Sequence, residues 1–282
     1  NSSNFIFMAE AKWCGQDSRG QKIHKDDLPF IEEKFASFQQ GKLIGASHLG
    51  YSVAKAKIVD DIFAPRYYNP EVEGEISALE VTHDLVTIGE LVSNGLLEIT
   101  KGDEIGKLSY GTGPIPFVRT SDISNWEVKV DPKHCVSEEI YRELAPKQDV
   151  REGDILMVKD GTYLIGTCAF ITKYDTKILF QSHLYKLRVT DPDKLSPYLL
   201  LAALSSKPVQ RQIKAKRFTQ DIIDSLGDRI LELILPLPKE VRRREKVINM
   251  VKRSIEERVE ARELARRARV EIVGDMDDSS LF

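Results

Sequence analysis

The stretch REGDILMVKDGTYLIGTCAF, residues 151–170, alternates short apolar runs with turn residues. The runs ILMV and TCAF carry β-branched and aromatic residues and are bounded by glycine or aspartate, which is typical of strands. The same pattern continues through residues 85–238. Strand-like runs alternate there with turns and with two helical pieces that Pro208 separates. The sequence therefore predicts an α+β domain over 85–238.

A second stretch, GPIPFVRTSDISNW at 113–126, predicts an edge strand followed by a loop. Pro114 and Pro116 lack an amide hydrogen, and an edge strand tolerates that loss. We expect Phe117 and Val118 to alternate between core and surface. Residues 119–122 then form the loop at which the strand ends.

Residues 239–272 contain no glycine or proline and predict one helix about 50 Å long. Its apolar residues share one narrow stripe, which favours packing against another helix in the same chain or in a second chain. Arg258 and Arg262 interrupt the stripe, and a solvated helix is the alternative. We assign 239–273 as a spacer or dimerisation helix and 274–282 as a flexible tail. The expected seam residues are Ile248, Val251, Ile255 and Val259.

The N-terminal residues 1–64 read as mainly helical, with helical patches at FIFMAEAKW (5–13) and LPFIEEKFASFQQ (28–40). In the second patch Pro29 fits the first turn, and Asp26 or Asp27 fits the cap. Residues 65–84, which begin PRYYNPEVEGE, predict a connector because prolines and glutamates dominate their start.

The composition suits a soluble cytoplasmic protein, since charged residues make up 30% and no run of 18 apolar residues occurs. No leader segment is recognisable, and the three scattered cysteines predict reduced thiols. The net charge of -3 argues against a nucleic-acid partner, but residues 239–272 hold 12 basic and 7 acidic side chains. Residues 207–218 hold five basic side chains and no acidic one. Local charge therefore leaves a nucleic-acid partner possible.

No catalytic motif is present: the sequence lacks a phosphate-binding loop, a G-x-S-x-G elbow and an H-E-x-x-H pair. We therefore expect no enzyme activity, no cofactor and no metal in these residues. Polar and basic side chains recur instead in five turns, where they could contact DNA, although each alone fits an ordinary solvated turn. The candidate DNA-binding residues are Lys101, Lys107, Tyr110, Arg119, Lys159, Thr162, Tyr163, Gln181, His183, Lys214, Lys216, Arg217, Thr219 and Gln220.

Four segments in order resemble the target-recognition domain of type I restriction-modification DNA specificity subunits. They are GPIPFVRTSDI (113–123), REGDILMVKDGTYLIGTCAF (151–170), QSHLYKLRV (181–189) and RFTQDIIDSLGDRILELILPLP (217–238). The long helix that follows them fits the same family. The resemblance implies a specificity-subunit-like fold that binds double-stranded DNA. A standard subunit has two such domains and two long helices, whereas this chain has one of each.

The N-terminal FIFMAEAKW and DDLPFIEEKF resemble the end of the catalytic domain of N6-adenine DNA methyltransferases of the same systems. The two resemblances together imply the C-terminal part of a fused methyltransferase and specificity polypeptide. S-adenosylmethionine is then expected in the upstream methyltransferase domain. The expected partners are double-stranded DNA, a methyltransferase domain or subunit and, through the long helix, a second copy; no membrane is expected.

Base reading is expected in the KDGTY turn and the KAKRFTQ loop, while Arg119 is expected to contact phosphate or support the fold. A protein-interaction or assembly module that reads no DNA is the alternative. The charge balance of residues 85–238, with 20 basic and 21 acidic side chains, keeps that alternative open.

Overall fold

The computed structural model describes residues 4–47, 49–129, 132–161, 163–220 and 223–273. The chain divides into two compact units, Asn1–Leu79 and Glu80–Phe282. The tail predicted at 274–282 lies outside the described residues. The second unit begins ahead of the predicted domain start at 85, because its first strand, β5 (His83–Thr87), pairs with β17 (Ile234–Pro238) near the end of the predicted domain.

The first unit contains both strands and helices. β1 (Phe5–Met8) pairs antiparallel with β4 (Tyr51–Ala54), and β2 (Cys14–Gln16) pairs with β3 (Lys22–Asp26). The prediction of a helix over FIFM is wrong. A four-residue apolar run fits a strand as well as a helix, and the partner strand that decides between them lies far along the chain.

The second helical patch is confirmed as α1 (Leu28–Gln39), with Pro29 in its first turn. Asp27 occupies the cap position, but its carboxylate accepts from the backbone amides of Lys12 and Trp13 instead of capping the helix. Part of the predicted connector is itself helical, as α2 (Pro70–Ser77). Asn69 caps α2 by accepting from the amide of Glu71 at 2.9 Å.

The centre of the second unit is a four-stranded antiparallel sheet. Its strands lie in the order β12 (Cys168–Phe170), β11 (Ile155–Val158), β14 (Leu184–Val189), β6 (Leu97–Lys101). The strands predicted in 151–170 and 181–189 are confirmed, and every residue of β11 is buried. Helices cover one face of this sheet and form the main core with it.

A smaller sheet holds β7 (Ile115–Val118) between β10 (Cys135–Val136) and β13 (Leu179–Phe180). The prediction of an edge strand at 113–126 is therefore wrong, since β7 is the central strand. Each partner strand is only two residues long, so few ladder bonds depend on the amide that Pro116 lacks. Phe117 and Val118 are both buried, because two cores lie on either side of β7.

Short elements complete the second unit. The predicted helical pieces are α5 and α6, which separate at Ser206 because Pro208 occupies the first turn of α6. The remaining bounds are α3 (Ile88–Ser93), β8 (Ile123–Ser124), β9 (Glu127–Val128), α4 (Glu138–Gln148), α5 (Pro197–Ser205), α6 (Lys207–Lys216), β15 (Phe218–Gln220) and β16 (Ile223–Ser225).

The long helix is α7 (Val241–Val273), and it packs against α5 of the same chain. Val251 and Ile255 are buried in the main core, and Ile248 and Val259 are half-buried against it. These four side chains therefore pack on their own domain, which is the same-chain arrangement of the two that the stripe predicts. The two arginines that interrupt the stripe form ion pairs with this domain: Arg258 with Glu127 at 3.2 Å and Arg262 with Asp175 at 3.0 Å.

A buried ion pair ties β14 to the turn that precedes β11. Arg188 donates from Nε and Nη2 to the two oxygens of Asp154, both at 2.8 Å, and from Nη1 to Asp149 at 2.7 Å. The hydrogen bonds to Asp154 raise the pKa of Arg188, and the bonds from Arg188 and Arg151 lower the pKa of Asp149. Asp154 is the aspartate of the REGDIL segment, so that residue supports the fold.

Candidate nucleic-acid interface

Four predicted turns meet through backbone hydrogen bonds on one side of the second unit. The amide of Asp103 donates to the carbonyl of Phe180 at 3.1 Å, and Lys159 donates to His183 at 2.9 Å. Gly161 donates to Asp224 at 2.9 Å. We call the joined segments the loop cluster; it comprises the described residues of 101–109, 159–163, 181–183 and 217–226.

Gly102 permits the closest approach within the loop cluster. A side chain at this position would place its Cβ 2.1 Å from the carbonyl oxygen of Phe180 and 2.5 Å from that of Gln181. No other residue type fits there without displacing backbone atoms. The glycine thus fixes the segment after β6 against the turn after β13.

A buried carboxylate, Asp160, connects two of the predicted DNA-binding residues. Its Oδ2 accepts from Nδ1 of His183 at 2.8 Å and from Nζ of Lys159 at 2.9 Å, while the residue is only 5% exposed. Burial raises the pKa of Asp160, but hydrogen bonds from His183, Ser225 and Lys159 outweigh it and hold the pKa below its usual value. An ionised carboxylate only accepts, so Nδ1 of His183 is the donor in this pair. Sequence reasoning missed Asp160 because a KDG tripeptide looks like an ordinary turn.

Acidic partners neutralise two of the five cations in the basic patch predicted at 207–218. Lys216 pairs with Glu232 at 2.6 Å and Arg217 pairs with Asp224 at 3.3 Å. Both cations are mostly buried, and Arg217 lies at the base of the β15–β16 hairpin. These two side chains therefore support the hairpin.

The lysines of the candidate set differ in whether they form ion pairs with acidic side chains of the same chain. Lys101 pairs with Asp228 at 3.9 Å, although both side chains are largely exposed. Lys107 and Lys214 are exposed and form no ion pair within the described part of the chain. These two lysines are the most accessible cations of the set for a phosphate.

Arg119 follows β7 and lies next to the loop cluster, because the amide of Gln181 donates to the carbonyl of Val118 at 2.9 Å. Its backbone amide donates to Oδ2 of Asp122 at 2.8 Å, and its Nη2 donates to Ser121 at 3.4 Å. This geometry favours the structural alternative for Arg119.

Tyr110 also has a packing role. Its ring lies 5.8 Å from that of Phe117 and 5.0 Å from that of His134, beside the small core. By contrast, Tyr163 is 92% exposed in the loop cluster, and it can stack on a partner.

Three further candidates fall in or beside positions that the structure does not describe. Thr162 lies outside the described residues. Thr219 and Gln220 contribute backbone to β15, opposite Asp224 and Ile223 of β16.

Sequence reasoning missed Arg229, which anchors this hairpin. Its Nε donates to the carbonyl of Lys216 at 2.7 Å, and its guanidinium lies 4.3 Å from the centre of the Phe218 ring.

The described ranges hold neither a metal-binding cluster nor a membrane-spanning helix. No group of three or more histidine, cysteine, aspartate or glutamate side chains could hold a metal ion there. None of the helices described is long and apolar enough to cross a membrane.

The chain is similar in structure to type I restriction-modification specificity subunits. Against the S subunit from M. genitalium the TM-score is 0.42 at 15% identity, covering 70% of this chain and 46% of that chain. Against the HsdS subunit from Thermoanaerobacter tengcongensis it is 0.38 at 18% identity, covering 70% and 46%. A third structure comes from a study of complex assembly and conformational transition in a type I system. Its TM-score against this chain is 0.39 at 17% identity, and the match covers 71% of this chain and 47% of that chain.

This chain spans slightly less than half the length of each of these three structures. No family model and no curated protein matches the sequence.

Proposed function

We propose that the second unit is a DNA target-recognition domain of a restriction-modification system. The observation that carries the proposal is the loop cluster, in which turns distant in sequence are joined by backbone hydrogen bonds. The cluster presents lysine, glutamine, histidine and tyrosine side chains together. Lysine suits phosphates, glutamine and histidine suit base edges, and tyrosine suits stacking on a base.

The exposed lysines, Lys107 in the loop cluster and Lys214 on α6, have a different role in this proposal from the other residues of the cluster. Lys107 and Lys214 bind phosphates and hold the duplex in register. Gln181, His183 and Tyr163 face the bases. The paired cations, among them Lys216 and Arg217, keep the hairpin in shape and contribute little to the salt dependence of binding.

A methyltransferase domain or subunit is the partner we propose for the first unit. Helix α1 has no buried residue, and Leu28, Phe30 and Phe35 on it are 48%, 58% and 44% exposed. Apolar side chains exposed together favour an interface with another protein surface. That methyltransferase would carry S-adenosylmethionine and the catalytic residues, so this chain would supply recognition and no catalysis, in the cytoplasm where it meets DNA.

A second copy is the partner we propose for the distal part of α7. Leu264 and Ile272 are 51% and 87% exposed there, beyond the part that packs on the chain's own core. Beside this helix runs a groove of about 370 Å³ whose lining carries both signs of charge, including Glu260 and Arg267. Two such helices crossing antiparallel would bring Glu260 of each copy towards Arg267 of the other.

The test is duplex binding by the 282-residue chain, measured by fluorescence anisotropy on random-sequence DNA over a range of salt concentrations. We expect affinity to fall linearly with salt on logarithmic axes, and the double substitution Lys107→Ala/Lys214→Ala to lower the slope by about 2. Lys246→Ala, an exposed lysine on α7, is the matched control and should leave the slope unchanged.

Absence of salt-dependent binding even at low ionic strength would refute DNA recognition. The alternative of an assembly module that binds only proteins would then be preferred, since the charge balance of 85–238 favours it.

A further inference from the structure

Glu104 is an acidic residue in the middle of the loop cluster, between Lys101 and Lys107. Its side chain is 55% exposed. Sequence reasoning did not single it out, and a carboxylate repels DNA phosphates. Its position therefore needs an explanation if the cluster binds DNA as proposed above.

Two side chains of residues 181–183 donate to this carboxylate, and the third lies near it. The hydroxyl of Ser182 donates to Oε1 of Glu104, and Nε2 of Gln181 donates to Oε2 at 3.5 Å. Nε2 of His183 lies 3.8 Å from Oε1. Residues 181–183 thus surround the carboxylate from one side, while the exposed remainder stays open to a ligand.

The backbone at Glu104 is held as firmly as its side chain. Gly102 packs against the carbonyls of residues 180 and 181, and Asp103 forms a β-bridge with Gln181. The carboxylate of Asp103 accepts from Lys147 and from Nε2 of Gln148, the latter at 3.0 Å. A fixed backbone and oriented oxygens are what discrimination between ligands requires.

An ionised carboxylate has acceptors only. In the major groove it can accept from the exocyclic amino groups of cytosine and adenine, whereas guanine O6 and N7 and thymine O4 are acceptors that repel it. The flanking lysines suit the neighbouring phosphates and leave the carboxylate for a base edge.

We propose that Glu104 is a base-reading residue that accepts a hydrogen bond from the N4 amino group of cytosine or the N6 amino group of adenine. This inference rests on the proposed DNA recognition. Ser182 acts through Glu104 as a positioning residue.

The experiment is selection of bound duplexes from a random library, followed by sequencing, with the 282-residue chain and its variants. The wild-type chain should enrich a motif with cytosine or adenine at one contacted position. Glu104→Ala should lower the enrichment at that position about tenfold while the other positions keep theirs. It should also raise the affinity for non-target duplex several-fold, because a charge that repels phosphates is gone.

Two further variants separate a reading role from a structural one. Glu104→Gln keeps an acceptor for Ser182 but adds a donor, so it should admit guanine or thymine at the same position. Glu240→Gln, an exposed carboxylate outside the cluster, is the matched control for the charge change and should reproduce the wild-type motif.

A wild-type motif that both Glu104 variants reproduce at every position overturns the assignment. A uniform loss of enrichment at all positions overturns it as well, because Glu104 would then only support the loops. Failure of the wild-type chain to bind any duplex overturns the proposed function and this inference together, and that result is visible before any variant is made.

Discussion

The ion pair between Asp154 and Arg188 yields a quantitative prediction for the substitution Asp154→Ala. The Asp154 side chain is 1% exposed and accepts three hydrogen bonds at 2.8 Å, two from Arg188 and one from the amide of Arg151. Removing one partner of a buried ion pair costs roughly 3–5 kcal/mol. Because Asp149 still pairs with Arg188, we expect a loss near the lower limit, about 3 kcal/mol, or roughly 150-fold in the unfolding equilibrium.

The assay is urea unfolding followed by the fluorescence of Trp126, in a Trp13→Phe background that removes the tryptophan of the first unit. Trp126 packs on the main core and donates to Ser205 at 2.8 Å, so it reports on the second unit. Asp228→Ala is the control, since its pair with a lysine is exposed and should have no measurable effect. A loss below about 1 kcal/mol for Asp154→Ala would refute the reasoning that this aspartate supports the fold.

Three further predictions follow from the same structure. Val251→Asp should lower the melting temperature strongly without changing the sedimentation mass, because it places a charge in the core of its own chain, whereas Met250→Asp, 63% exposed, should change neither. The lowered pKa of Asp160 means that its stabilisation is complete above its unfolded pKa of about 4 and is lost as the pH falls through the folded value. The difference in melting temperature between wild type and Asp160→Asn should therefore be constant above about pH 4 and shrink below it; a constant difference down to pH 2 would contradict this. Glu260→Arg should weaken self-association in sedimentation velocity, and adding Arg267→Glu should restore it; a wild-type chain that stays monomeric at all concentrations would exclude the proposed dimer.

The candidate site was only partly predictable from its residues. Residue types and turns identified where polar side chains gather, including those at 159–163 and 181–183. They did not identify Asp160 or Glu104, because the role of a carboxylate depends on which donors the fold brings to it. Nor did they show that Lys216 and Arg217 are paired, since Glu232 and Asp224 reach them only after the chain has folded.

The sequence by itself determined the local structure: the strands of 151–170, the break between α5 and α6, and the long helix α7. Each of these depends on periodicity and on proline or glycine within a few residues, which the chain carries locally. Tertiary structure alone decided that FIFM is a strand, that β7 is central and that the stripe of α7 packs on its own domain. Those outcomes depend on pairing between segments far apart in sequence. Burial of apolar surface is non-directional, so an apolar segment does not by itself specify which partner will cover it. The partner is selected only when the whole fold has formed.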